Sequence, residues 1–130
     1  MGSKSSIWII SIALTLGLLL ELGCSDDDVA DPDNQAPVIQ SVSAEPDTFV
    51  ADDVVRVTVV ASDPDGDPLS YDWEVHGTSF MAVFASGSMI DVSNCCHIEA
   101  IESGWVVALV SDDNDATTRD SVQVWVSPRE

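Results

Sequence analysis

Residues 54–75 constrain the fold more than any other part of the chain. They read V-V-R-V-T-V-V-A-S, then D-P-D-G-D-P, then L-S-Y-D-W-E-V. Val55, Val57, Val59 and Ala61 share one face of an extended segment, with Arg56 and Thr58 on the other. Leu69, Tyr71, Trp73 and Val75 alternate in the same way against Ser70, Asp72 and Glu74. β-Branched and aromatic residues at period two mark strands buried on one face. The Asp-Pro and Asp-Gly pairs between them are turn chemistry. An aspartate side chain bonds amides two residues on, and glycine adopts positive φ without steric cost.

The remaining body repeats this grammar. Strands are predicted at 38–44, 79–85, 89–93, 105–111 and 121–126, with Glu45-Pro46-Asp47 and the polar stretch 112–118 as turns. No helical period rises above the alternation. The expectation is an all-β body over 37–127, a seven-stranded immunoglobulin-like β-sandwich, with 128–130 as a tail. A body of this size buries a core without a metal or disulfide staple.

The N-terminal part is read separately, as a signal helix followed by a flexible acidic linker. Lys4 precedes an apolar run from Ile7 to Leu20, about six residues short of a membrane-spanning helix. The run closes on L-E-L-G-C and is followed by S-D-D-D. This ending resembles the lipobox of bacterial lipoproteins, with Gly23 and Cys24 in register. Glu21 departs from it, standing where that family prefers leucine. The resemblance implies a signal peptide over 1–23, removal before Cys24, and acylation of that thiol as a membrane anchor of the bacterial cell envelope. Ser25 after the cysteine implies the outer membrane or cell surface rather than the inner membrane. Residues 24–36 then form the lipidated cysteine and a tether, since five aspartates in 25–35 leave little to bury. An uncleaved anchor or an ordinary secretory peptide is the alternative.

Asn34, Ala36 and Pro37, then V-x-V-x-A-S-D-P-D-G-D-P-L-S-Y-x-W over Val57 to Trp73, then V-S-D-D over Val110 to Asp113, resemble bacterial immunoglobulin-like modules of the PKD and cadherin-like type. The closing V-x-V-x-V, Val122 to Val126, belongs to the same resemblance. It implies a non-catalytic sandwich serving as spacer, adhesion unit or sugar-binding appendage, with a surface glycan or protein as partner. Trp73-Glu74-Val75-His76-Gly77-Thr78 departs from the PKD W-D-F-G-D-G.

Charge narrows the partners. The chain has 4 Lys+Arg against 23 Asp+Glu, a net charge of −19. Such a chain repels phosphate backbones, so no nucleic acid partner is expected. In a sandwich the start of the body and two of the loops lie at one end. That gathers Asn34, Asp63, Asp65, Asp67, Asp112, Asp113 and Asp115, hard oxygen donors of the kind Ca²⁺ takes. The D-x-D-x-D spacing is not an EF-hand, because Gly66 comes at the fourth place and no glutamate follows at the twelfth. Solvated Asx turns are the simpler alternative.

Three further features complete the reading. With Val106, Ala108 and Val110 facing the core, Trp105, Val107 and Leu109 face outward beside Trp125 and form a contact face, unless 79–85 folds over it. Cys95 and Cys96 are adjacent and open three readings: a bridged pair, free buried thiols or an intermolecular bridge. With His97 they also suggest a redox or metal-handling protein as the alternative function, though the C-x₂-C spacing of soft-metal sites is missing. Catalysis is not expected. G-x-S-x-G, a phosphate loop and H-E-x-x-H are all absent from the sequence.

Overall fold

The computed structural model describes residues 33–130; the expected signal segment, Cys24 and most of the acidic linker lie outside the described residues. Those residues form eight strands and contain no helix, so none is long and apolar enough to cross a membrane. In chain order the strands are β1 (Val38–Glu45), β2 (Thr48–Val50), β3 (Val54–Ser62), β4 (Ser70–His76), β5 (Phe80–Ser86), β6 (Met89–Asn94), β7 (Glu102–Ser111) and β8 (Thr117–Ser127). They make two four-stranded sheets, ordered β1-β3-β6-β5 and β2-β8-β7-β4.

The alternation in the sequence becomes the core. Val55, Val57, Ile90 and Val92 of the first sheet share one buried cluster with Phe49, Val106, Val124 and Val126 of the second. A second cluster joins Val59 to Ala108 and Val110. Trp73 packs against both and donates its indole N–H to the Gly87 carbonyl at 3.1 Å. This satisfies the ring's one polar group, the condition for burying a tryptophan. On the outer face of the first sheet, Arg56 stands opposite Asp91 and holds it through a two-pronged ion pair at 2.8 and 2.9 Å.

The expected count of seven strands is corrected to eight by β2, a three-residue strand parallel to β8 at Thr48–Trp125, Phe49–Val126 and Val50–Ser127. Three residues are too few to show a period. Its role is legible only in place: it carries Phe49 into the core, edge-on to Phe80 with ring centroids 6.1 Å apart. The last strand also begins four residues earlier than the pattern suggests. Thr117 to Asp120 pair with β7 although their sequence is polar.

Close approach of backbone fixes the position of Phe80. A Cβ on Gly104 would stand 2.6 Å from the His76 carbonyl oxygen and 2.7 Å from Phe80 Cδ2. A Cβ on Gly77 would stand 2.6 Å from the same Phe80 Cδ2, and Gly77 has a φ of 137°, which an L side chain rarely adopts. Phe80 therefore sits in a slot that two glycines leave open.

Candidate functional site

Three segments meet at one end of the sheets: the start of the body at Asn34 and Gln35, the β3–β4 turn at 63–67, and the β7–β8 turn at 112–116. Each turn is built on one aspartate. Asp63 Oδ1 accepts the amides of Asp65 and Asp67 at 2.8 and 3.2 Å, and Gly66 reverses the chain at a φ of 85°. Asp112 Oδ1 accepts the amides of Asn114 and Ala116 at 2.9 and 2.8 Å. These are the Asx bonds that make aspartate a turn residue.

Side chains then tie the segments together. Asn34 donates to Asp112 Oδ2 at 2.8 Å, and Asn114 Nδ2 lies 3.1 Å from Asp67 Oδ2 and 3.3 Å from both Asn34 Oδ1 and Asp113 Oδ1. Gln35 clamps Asp65 from its backbone and its amide side chain, at 2.7 and 3.1 Å. Thr118 donates to the Pro37 carbonyl at 2.6 Å. The expected gathering of Asn34, Asp63, Asp65, Asp67, Asp112 and Asp113 is found. Asp115 is an exception: it is exposed at the turn's tip with a φ of 65°, and among the described residues its side chain takes no part in these bonds. Gln35 was missed by sequence reasoning, since one glutamine in a polar tether carries no pattern.

Two electrostatic facts distinguish this end from a pair of solvated turns. Asp63 Oδ2 is buried and, among the described residues, has no hydrogen-bond partner. A buried, unpaired carboxylate oxygen is costly unless a donor or cation meets it. Burial also raises the Asp67 carboxyl above its ordinary value, helped by the negative charges of Asp113, Asp63 and Asp65 and opposed by the Asn114 amide. Asp112 moves the other way. The Asn34 hydrogen bond holds it low, against its own burial, with the Ala116 and Asn114 amides assisting.

The opposite shifts give opposite pH dependences. A carboxyl held low stabilises the fold when ionised: its contribution is complete above the unfolded chain's value, near pH ~4, and is lost as pH falls through the lower folded value. A carboxyl held high contributes fully below that unfolded value, and the contribution is lost as pH rises through the folded one. In thermal melts without divalent cation, Asp67→Asn should therefore raise the midpoint at neutral pH, and the gain should fade on acidification. Asp112→Asn should lower it at neutral pH, because the new amide sets a donor against Asn34 Nδ2. Both variants shifting in the same direction would contradict this assignment.

The expected register of the tryptophan face is also found. Val106, Ala108 and Val110 are core residues, while Trp105 is 48% exposed between Gln123 of β8 and His76 of β4. Leu109 and Trp125 are half-buried, and Val107 is buried within this outer layer rather than presented on it. Residues 79–85 do not cover the face. They form β5, an edge of the opposite sheet, with Met81, Val83 and Phe84 exposed in a stretch, 77–90, without a charged side chain. Cys95 and Cys96 are bonded to each other, and both are exposed, as is His97.

No protein-family model matches the chain, and no curated protein matches it. Among solved structures it is similar to a nucleoside hydrolase-related hypothetical protein from Saccharophagus degradans that is associated with carbohydrate metabolism. The TM-score is 0.52 at 19% identity, over 74% of this chain and 26% of that one. The chain thus spans about a quarter of that protein's length, and the likeness concerns the fold alone.

Proposed function

We propose that the chain is an anchored lipoprotein of the bacterial cell envelope. Its body is a single immunoglobulin-like β-sandwich that acts as a non-catalytic binding or spacer module, with Ca²⁺ stiffening the joint between tether and sandwich. The strand orders support the fold part of this reading. With β2 set aside, β1-β3-β6-β5 and β8-β7-β4 correspond to the A-B-E-D and G-F-C sheets of immunoglobulin domains. The lipobox-like L-E-L-G-C ending supports the anchor at Cys24. The tryptophan face, with Trp105 beside Gln123 and His76, offers the module a contact surface for a glycan or protein.

The observation that carries the reading is the meeting of the tether's end with both aspartate turns around an unpaired Asp63 oxygen. Asp63, Asp65, Asp67, Asp112, Asp113 and the Asn34 carbonyl oxygen are the donors that would hold the ion. Among the described residues no three acidic, imidazole or thiol groups already stand in coordinating positions, so binding entails rotation of these side chains. A bound cation supplies charge neutralisation to carboxylates that now repel one another.

Ca²⁺ at a hundredfold its dissociation constant should stabilise the body by about 2.7 kcal/mol, which raises the melting midpoint by roughly 4–8 °C per kcal/mol for a domain of this size. Differential scanning fluorimetry with and without millimolar Ca²⁺ measures this. Asp67→Asn should shrink the increment, and an unchanged midpoint in the parent protein rules the cation out.

A further inference from the structure

Beyond the anchor-and-module reading, and independent of it, we propose that Cys95–Cys96 is a thiol–disulfide exchange site for a dithiol reductant rather than a structural staple. Three observations carry this. First, a disulfide stabilises chiefly by closing a loop in the unfolded chain, and a bond between neighbours encloses no intervening residue. The fold around it already has its own core. Second, both cysteines are exposed and line a cavity of about 230 Å³ together with Asp52, Asn94, His97 and Arg129. An attacking thiolate therefore has access. Third, this cavity holds one of only 4 basic side chains in a chain of net charge −19, Arg129, which also reaches Asp52 at 4.0 Å and Asp53 at 3.5 Å, together with the His97 imidazole. The guanidinium offsets those carboxylates, which would otherwise disfavour the thiolate that leaves when such a bond is broken, and the imidazole is a proton donor or acceptor beside it.

One thiolate of the reductant attacks a ring sulfur, a mixed disulfide forms, and the Cys95–Cys96 bond breaks with its electron pair leaving on the other cysteine. The reductant's second thiol attacks the mixed disulfide and releases the remaining cysteine. The pair gains two electrons and the two protons that the dithiol gives up, and the dithiol becomes a disulfide. The reduced form has a place for one of those protons. Cys95 Sγ lies 3.8 Å from the Thr78 carbonyl oxygen, within reach of a thiol donor. Opening the ring also has a mechanical output. Asn94 donates to the Cys96 carbonyl at 2.7 Å and accepts the amide of Asp52 at 2.7 Å, so the cysteine pair is coupled to the β2–β3 turn. Asp52 holds the left-handed conformation there, at a φ of 72°.

The test uses the full folded chain. It is treated with dithiothreitol, quenched at intervals with iodoacetamide and digested, so that labels on Cys95 and Cys96 are located apart from Cys24. The expected result is no label before reduction, then two labels acquired together well below the melting temperature. Reduction should slow about two- to fivefold in His97→Ala and Arg129→Ala, the size of an exposed charge effect. Labelling without reductant, labelling only of unfolded protein, or unchanged rates in both variants would each overturn the proposal.

Discussion

Phe80→Ala is expected to be among the most damaging single substitutions in the body, at about 3–5 kcal/mol, the usual range for removing a buried aromatic ring. Phe80 is 8% exposed and meets Phe49 edge-on, so its loss also strips the partner that β2 brings into the core. Two glycines line the slot, and neither has a side chain to fill the space left behind. Little collapse is available, which places the expected value in the upper part of that range. Urea unfolding of the parent and the variant measures the difference directly. A loss below about 1 kcal/mol, the scale of an ordinary surface change, would show that the slot is not formed.

Gly104→Ala should act from the other side of the same contact. The added methyl stands 2.6 Å from a backbone oxygen of β4, and backbone cannot swing aside as a side-chain end can. Overpacking of this kind costs about 1–3 kcal/mol. The combination with Phe80→Ala is the sharper measurement. The methyl's remaining close contacts are with the Phe80 ring, so the double variant should be less destabilised than the sum of the singles. The His76 carbonyl contact persists, and rescue should therefore be partial. Strict additivity would mean that the ring and the glycine do not share one space.

How far the sequence revealed this architecture depends on the length of each pattern. Val55, Val57 and Val59 against Arg56 and Thr58 give enough repeats to assign both the strand and its buried face, and the same holds for β4. The register of β7 followed from Val106, Ala108 and Val110, although Val107 proved too enclosed by its neighbours to serve as contact surface. Phe49, by contrast, lies in a strand of three residues that pairs in parallel with a partner about 77 positions away. Nothing local specifies that pairing. Thr117 to Asp120 carry no strand pattern of their own; their partners in β7, not their own side chains, make them strand.

The acidic end shows the same division. Asp63 and Asp112 were recognisable as turn aspartates, and the topology of a two-sheet body brought them together. The hydrogen bonds that decide between a passive turn and a charged site were not legible. Whether Asn34 reaches Asp112, whether Gln35 caps Asp65, and whether one Asp63 oxygen is left unpaired are matters of side-chain geometry over separations of roughly thirty to eighty residues.

The strand directions add one consequence. β3 starts beside the loop that follows β6 and ends at Asp63, so the bonded cysteines and the aspartate turns stand at opposite ends of the body. At about 3.3 Å per residue along a strand, they are separated by roughly 30 Å. A reductant docking at the cysteine end would approach from the side facing away from residue 33, and a surface to which residue 33 leads back would not obstruct it. A cation bound at one end and thiol exchange at the other would be too far apart to compete for the same groups, so each could be read out with the other held fixed.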